Sequence, residues 1–338
     1  MTIHRQFPSV SIIIPAFNAG GRIAKCLEAL CAQAEQHRAE ILVVNDGSAD
    51  NTAEVAARFP TVRVINQANA GPAAARNRGA FEASGAILVF TDDDCIPAPG
   101  WLDAMLRPFD DPEVVATKGV YRTRQEELLA RFVQVEYEDR YRLMKKLDFI
   151  DFVDTYSAAF RRERFLEMNG FDPDFPLACA EDAELSYRMS ARGWKMKFVG
   201  DGVVYHSHPK TLSEYLKKKY KFAFWRVRAV RRNPLKALKD SHTPQLMKLQ
   251  LLFVPALLLT GITEILERWP LRLSAIVVAA FVLSTLPFAA RVWKKDPRLA
   301  LVSPLLLAAR SFAQLVGIVA GFADTRTKPA RIATKSIA

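Results

Sequence analysis

Cysteine is sparse in this 338-residue chain: there are four, Cys26, Cys31, Cys95 and Cys179, with no CxxC pair and no histidine at zinc-site spacing. That pattern argues against a disulfide framework or a structural zinc site and reads as reduced thiols in a cytosolic domain. No GxGxxG follows the first apolar run, so the usual dinucleotide fingerprint is missing. The opening residues MTIHRQFPSV lack an apolar core and are not expected to be a secretory signal. Acidic charge is scarce in the C-terminal third. Residues 1–209 carry 24 Lys/Arg and 30 Asp/Glu, residues 210–248 carry 12 and 2, and residues 249–338 carry 11 and 4. The net charge of +11 is therefore a local basic excess added to an acidic domain, which argues against a nucleic-acid partner.

What is present alternates. Apolar, β-branched runs at Val10–Pro15, Ile41–Val44, Val62–Ile65 and Ile87–Phe90 read as strands. Between them, 21–34, 51–59 and 73–84 show helical spacing. Short strands alternating with helices predict an α/β fold, a parallel sheet covered by helices on both faces. In such sheets ligands sit beyond the carboxyl ends of the strands. Those ends carry Ala16-Phe17-Asn18, Asn45-Asp46-Gly47-Ser48 and Asp92-Asp93-Asp94, a polar and acidic set.

From Thr211 the character changes. Leu216, Tyr220, Ala223, Phe224, Val227 and Val230 recur at three- and four-residue steps, with Lys and Arg between them. This predicts a basic, aromatic-rich amphipathic segment, 210–248, lying on an anionic lipid surface; the alternative is a solvated basic helix packed on the domain. Beyond it, three hydrophobic segments at about 249–267, 273–290 and 299–322 approach or exceed the roughly 20 residues that a membrane span needs. The first reaches Trp269 if Glu264 faces a partner or the interface. The loop 291–298, with four basic residues and one acid, belongs on the cytoplasmic side. The third segment contains Pro304 and Arg310, and a tail with Arg326, Lys328, Arg331 and Lys335 follows it. A third full span would put that tail outside, against the positive-inside rule; a kinked or re-entrant one would keep it inside.

Three adjacent carboxylates at Asp92-Asp93-Asp94 repel one another unless a cation or a donor-rich ligand offsets them. Oxygen ligands at i and i+2 suit Mg²⁺ or Mn²⁺ held together with substrate phosphates, although an acidic turn capping the next helix would look the same.

These residues also carry a resemblance. SIIIPAFN (Ser11–Asn18), VVNDGSADNT (Val43–Thr52), NAGPAAARNRG (Asn69–Gly79), VFTDDD (Val89–Asp94), NGFD (Asn169–Asp172), AEDAELSYR (Ala180–Arg188) and GDGVVYHSH (Gly200–His208) stand in the order and spacing of the family 2 glycosyltransferases. The sequence resembles that family over roughly residues 9–208. The resemblance implies a Rossmann-like αβα sandwich of the glycosyltransferase A type. It implies that Pro15, Phe17 and Asn18 line a nucleotide base pocket, that Asp46 receives the base N–H, and that Arg76 lies near base and phosphates. Asn45 stands where members usually have Asp. Asp92 and Asp94 match the DxD pair, Asp92 near ribose or metal and Asp94 on the metal, with Asp93 between them in the donor site. Glu181-Asp182 matches the pair that carries the catalytic base. An inverting transfer needs one carboxylate beside the acceptor hydroxyl, assigned to Asp182, with Glu181 orienting it. Two acids opening a helix would be favourable in any protein. His206 is a candidate metal ligand, with a core or loop histidine as the alternative.

The function implied is a membrane-anchored inverting transferase that moves sugar from a nucleotide-diphospho-sugar, UDP-linked first, to a lipid or lipid-linked acceptor in cell-envelope or exopolysaccharide synthesis. Its catalytic domain, 1–209, would face the cytosol at the inner membrane. Transfer to polyprenyl phosphate is the alternative, and calls for a cation near Asp182, with Arg161, Arg162 and Arg164 as candidates. A processive synthase is disfavoured because no QxxRW follows the Glu-Asp pair. A non-catalytic membrane nucleotide-sugar sensor is the other alternative; loss of Asp46, Asp94 or Asp182 would favour it, and none is lost.

Overall fold

The computed structural model describes residues 9–175, 177–267 and 272–325. The opening residues, Trp269 and the basic tail discussed above lie outside the described residues. The chain forms two compact units, Met1–Lys210 with Asp240–Pro244, and Thr211–Lys239 with Gln245–Ala338.

The first unit contains β1 (Val10–Ala16), α1 (Ile23–His37), β2 (Glu40–Asp46), α2 (Thr52–Ala57), β3 (Val62–Gln67), α3 (Pro72–Glu82), β4 (Ile87–Thr91) and β5 (Ile96–Pro97). It continues with α4 (Trp101–Leu106), β6 (Val114–Arg122), α5 (Leu128–Met144), β7 (Ser157–Arg161), α6 (Arg162–Glu167), α7 (Glu181–Ala191) and β8 (Lys195–Tyr205). The strands make one sheet in the order β3-β2-β1-β4-β7-β6-β8-β5. β1 pairs in parallel with β2 and β4, and β2 with β3, as their largely apolar, β-branched runs predicted. The other half departs from an all-parallel sheet. β7 lies antiparallel to β4 and β6, and β5 antiparallel to β8. β7 follows a long helix and loop, and nothing local in its five residues encodes the direction in which it returns.

Both faces of the sheet are covered. On one, Ile12, Ile14, Val43 and Val89 pack with Ile23, Leu27 and Leu30 of α1 and Val55 of α2. On the other, α3 lies so close that a Cβ on Gly79 would stand 2.4 Å from Ile13 Cγ2 and 3.2 Å from Val44 Cγ2. Phe90, beside Ile13 in register, joins Phe160, Phe165 and Phe171, with ring centroids 5.1–6.4 Å apart. Such edge-to-face clusters add to the gain from burial alone. α1 and α3 thus leave opposite faces, and the chain reverses its strand order around β1. The crevice beyond the ends of β1 and β4 is where a ligand fits.

The second unit holds α8 (Leu212–Arg232), α9 (Leu235–Leu238), α10 (Gln245–Leu266), α11 (Arg272–Trp293) and α12 (Pro297–Ala323). α8 opens with a reciprocal cap: Glu214 N–H donates to the Thr211 hydroxyl, and Thr211 N–H to the Glu214 carboxylate. Its apolar face is not free for lipid, contrary to the expectation from its pattern. Ala223 and Val227 lie against Gly317 and Gly321 of α12, where a Cβ would come within 2.5 Å of Tyr220 O and 2.6 Å of Phe224 O. Glycine lets two backbones pack where any side chain would separate them. α10, α11 and α12 are 22, 22 and 27 residues long and apolar enough to cross a membrane. The third segment is one continuous helix through Pro304. Glu264 turns inward and accepts Leu273 N–H at 2.6 Å and Ser274 N–H at 3.0 Å, capping α11.

Candidate active site

The loops after β1 and β2 are tied together. Asn18, in the left-handed region at φ +47°, donates its N–H to Ser48 Oγ at 3.0 Å and accepts Ala49 N–H at 2.9 Å. Pro15 pairs with Val44, and the Phe17 ring is 47% exposed beside them. Asn45 is an amide for a physical reason: its Nδ2 donates to Asn66 Oδ1 at 2.9 Å while its Oδ1 accepts Ser48 N–H at 3.2 Å. A carboxylate could not make the first bond. Asp46 is buried, with Oδ1 accepting from Gln67 Nε2 and Ala70 N, and Oδ2 from Gly71 N, at 2.7–2.9 Å. It pins the loop 69–71 across the end of β2. Gly47, at φ +72°, is needed there, since a Cβ would meet Asn69 N at 2.7 Å.

The three aspartates after β4 have three different surroundings. Asp92 Oδ1 accepts from Arg76 Nη2 at 2.8 Å, and Arg76 Nη1 reaches Glu181 Oε1 at 2.9 Å. Arg76 is 2% exposed. Burial works against its charge, but Asp92 and Glu181 outweigh it and hold its pKa above the ordinary value. One guanidinium therefore joins two motifs that lie 89 positions apart. Asp93 departs from the donor-site expectation. Both of its oxygens are held by Arg22 of the α1 start, at 2.7 and 3.0 Å, and burial raises its pKa despite that pair. It anchors the start of α1 to the aspartate turn, which a Cys95 N–H to Asp92 O bond at 3.1 Å closes.

Asp94 is exposed and lies 3.3 Å from Nδ1 of His206, within ion-pair reach but not aligned as a hydrogen bond. Both ring nitrogens of His206 are buried without a hydrogen-bond partner, and its ring stacks on Tyr121 at 4.6 Å. Asp94, Cys95 and His206 each offer a ligand atom within 4.8 Å of the others. Burial, with Asp92 and Asp94 adding to it, pushes the Cys95 thiol well up, so it stays protonated and is a poor ligand for a hard cation. The orphaned imidazole beside an exposed carboxylate fits a divalent ion held by Asp94 and His206. His208 is the core histidine of the pair, with Nε2 3.0 Å from Gln134 Oε1.

Glu181 and Asp182 open α7. Glu181 is 1% exposed and saturated: beside Arg76 it accepts Cys179 N–H at 2.8 Å and Ala180 N–H at 3.1 Å. Asp182 is half-buried, and Ala183 N–H donates to its Oδ1 at 2.7 Å. Burial, then Glu181 and Asp154, push its pKa well above the usual carboxylate range. Asp154 is paired at 2.5 Å with Lys118, a fully buried lysine that also donates to Tyr156 OH at 2.9 Å. Tyr121, Tyr141 and Tyr156 close around that pair, with Tyr121 stacked on Tyr156 at 3.4 Å and the two hydroxyls of Tyr141 and Tyr156 2.9 Å apart. Sequence reasoning missed this cluster. Its signal is a lysine inside a largely apolar strand, VVATKGVY.

The acceptor-phosphate expectation for Arg161, Arg162 and Arg164 is overturned. Because β7 runs antiparallel to β4, Ser157 is level with Thr91 while Arg161 is level with Ile87, at the far end of the strand. Arg161 bonds Phe109 O, Asp111 O and Val114 O there, Arg162 donates to Phe81 O, and Arg164 pairs with Glu167.

Residues 11–168 match the family described as Glycosyl transferase family 2. Glycosyltransferase AglE of Haloferax volcanii is 43% identical over 102 residues, 28% of this chain and 34% of that protein. The uncharacterized glycosyltransferase EpsJ of Bacillus subtilis is 29% identical over 247 residues, 65% of this chain and 70% of that one. The chain thus spans about a third of the first relative's length and more of the second's. A mannosyltransferase from Pyrobaculum calidifontis, solved with GDP-Man and Mn²⁺, superposes with a TM-score of 0.58 at 21% identity, covering 93% of this chain and 87% of that one. With the parallel half-sheet, the Asp92–Asp94 turn and the Glu181-Asp182 helix start in place, residues 11–168 match Glycosyl transferase family 2, the fold is that of the Pyrobaculum mannosyltransferase, and three long apolar helices follow.

Proposed function

We propose that the protein is a membrane-anchored, metal-dependent transferase that moves a sugar from a nucleotide-diphospho-sugar, UDP-linked first, onto a hydroxyl of a lipid or lipid-linked glycan. It inverts the anomeric centre and works from the cytosolic face of the inner membrane, in cell-envelope or exopolysaccharide synthesis. The observation that carries this is the Arg76 clamp. It ties Asp92 to Glu181, so the turn that ends in Asp94 and the helix start that holds Asp182 are joined through a single guanidinium. That is the disposition needed by a donor diphosphate and an acceptor base that act on one carbon.

In this reading Pro15, Phe17, Asn18 and Asp46 hold the nucleoside, the exposed Phe17 ring stacking on the base. Asp94 and His206, with Asp92 beside them, hold the divalent ion, and a carboxylate–imidazole set suits Mn²⁺ better than Mg²⁺. Such an ion, when bound, neutralises the departing diphosphate. Asp182 takes the acceptor hydroxyl proton as the acceptor oxygen bonds the anomeric carbon; the bond from that carbon to the diphosphate breaks, and nucleoside diphosphate leaves. Its raised pKa makes Asp182 a stronger base than an exposed aspartate. Polyprenyl phosphate as direct acceptor loses the three arginines that would have supported it.

The test compares membranes carrying wild type, Asp182→Asn and Glu181→Gln, assayed for labelled sugar entering extractable lipid, with donor affinity measured in parallel. Asp182→Asn should lose turnover by about 10²–10⁴-fold with donor affinity held, as expected for removal of a general base. Full turnover in Asp182→Asn removes the base assignment. Tight donor binding by wild type with no transfer to any lipid acceptor would make the protein a sensor.

A further inference from the structure

The apolar helices of the second unit do not share one environment. α10 and α11 form a hairpin: Gln250 Nε2 donates to Ser284 O at 3.2 Å, Phe253 and Phe281 have ring centroids 6.1 Å apart, and the Thr260 and Ser274 hydroxyls stand 3.2 Å apart. Along residues 251–263 and 272–283 of that hairpin nothing is buried. Burial is concentrated toward the other end, at Gln250, Thr285, Phe288 and Val292, where α12 begins and where Arg310 Nη2 donates to Gln250 Oε1 at 2.6 Å. A third span lying along the hairpin would cover its far part as well.

The second half of α12 has a different neighbour. Gly317 and Gly321 rest on the backbone of α8, and Arg231 Nη2 of α8 donates to Phe322 O at 2.8 Å. α8 carries eight basic side chains in its 21 residues, and a helix so charged does not enter hydrocarbon. Whatever depth α8 takes, this half of α12 shares it. The face of α12 turned away from those contacts is apolar and exposed: Leu301, Leu305, Phe312, Val316 and Val319 follow one another at steps of three, four or seven.

We propose that α12 is not a third span but an interfacial helix on an anionic lipid surface, its exposed stripe in the acyl boundary and α8 behind it. α10 and α11 also expose apolar side chains, and residues 291–298 at their junction with α12 offer the exposed Arg291, Lys294, Lys295 and Arg298 to lipid phosphates. Among the described residues the α10–α11 hairpin is then the one crossing pair, and α12 lies on the side from which α10 entered. The sequence after α12, with Arg326, Lys328, Arg331 and Lys335, falls on that side, as the positive-inside rule requires.

This rests on the membrane anchoring proposed above, but its tests use no sugar transfer, so the two readings fail separately. Topology reporters fused at the N-terminus and after Ala338 of the full chain should report the same side, with one inserted at Glu267 on the other; Ala338 opposite the N-terminus would overturn the proposal. Single Leu301→Trp, Phe312→Trp and Val319→Trp variants, placed on an exposed stripe where they leave packing intact, are reconstituted in phosphatidylglycerol–phosphatidylcholine vesicles. All three should be quenched most by lipids brominated near the headgroup. Deep quenching at residue 312 with shallow quenching at 301 and 319 is the signature of a span and overturns it. Replacing the phosphatidylglycerol by phosphatidylcholine should at least halve the shallow quenching; unchanged quenching overturns the anionic preference.

Discussion

Replacing Arg76 with methionine keeps most of the side chain's volume and removes its charge. Arg76 is 2% exposed and its two bonds go to Asp92 and to Glu181, itself 1% exposed. Removing one member of a buried ion pair strands the other, at a cost of about 3–5 kcal/mol. A domain of this size loses about 2–4 °C per kcal/mol, so melting of the purified full chain in detergent should fall by roughly 6–20 °C. The double variant Arg76→Met/Glu181→Gln carries no stranded Glu181 charge and should recover at least a third of that loss. pH supplies a second check. Burial already raises the Glu181 pKa, with Arg76 opposing, and removing Arg76 raises it further. A carboxyl whose folded pKa lies above its unfolded value, about 4.3, keeps its full contribution to stability below that unfolded value. The contribution is lost as pH rises through the folded one. The deficit of Arg76→Met should therefore shrink from pH 8 to pH 5. A single variant that melts within a degree or two of wild type would refute the clamp, as would a deficit indifferent to Glu181→Gln.

Because burial, then Glu181 and Asp154, raise the Asp182 pKa, the acid limb of the kcat–pH profile should lie well above the ordinary aspartate range, and a limb near pH 4 would contradict the base role. Asp94→Ala and His206→Gln should each abolish the Mn²⁺ dependence of donor binding in titration calorimetry; wild-type dependence in Asp94→Ala sinks the metal assignment. Asp93→Ala should lower the melting temperature while leaving donor affinity within about threefold, since both of its oxygens serve Arg22; a donor affinity that collapses would restore it to the donor site. Gly79→Val forces α3 off Ile13 and Val44 and should cost at least the 1–3 kcal/mol typical of overpacking, read as a fall in melting temperature.

The elements that the sequence made legible are those with strong local periodicity. β1, β2, β3 and β4, with α1, α2 and α3, form within a few residues of where apolar spacing placed them, because burial on the faces of a parallel sheet writes itself into consecutive residues. The aspartate turn and the Glu181-Asp182 pair were legible as chemistry, since adjacent carboxylates have few bland explanations. Asp93 was not separable from its neighbours, because which of three adjacent side chains meets a cation depends on Arg22, 71 positions away. Arg161, Arg162 and Arg164 were misplaced for a similar reason: proximity in sequence to β7 says nothing of which end of the sheet they reach until the direction of β7 is known.

Composition and pattern alone therefore settle that an acidic α/β domain with a carboxylate-rich strand-end crevice precedes a basic and then apolar segment. Those properties are sums over local residues and survive any arrangement in space. Tertiary structure alone decided that Arg76 binds both acidic motifs at once, that Lys118 and Asp154 are buried near Asp182 among tyrosines, and that the apolar face of α8 is spent on Gly317 and Gly321 of α12. They bring together residues from 16 to about a hundred positions apart. Whether such a pair meets depends on the path of the whole chain between them, and no window of sequence contains that path.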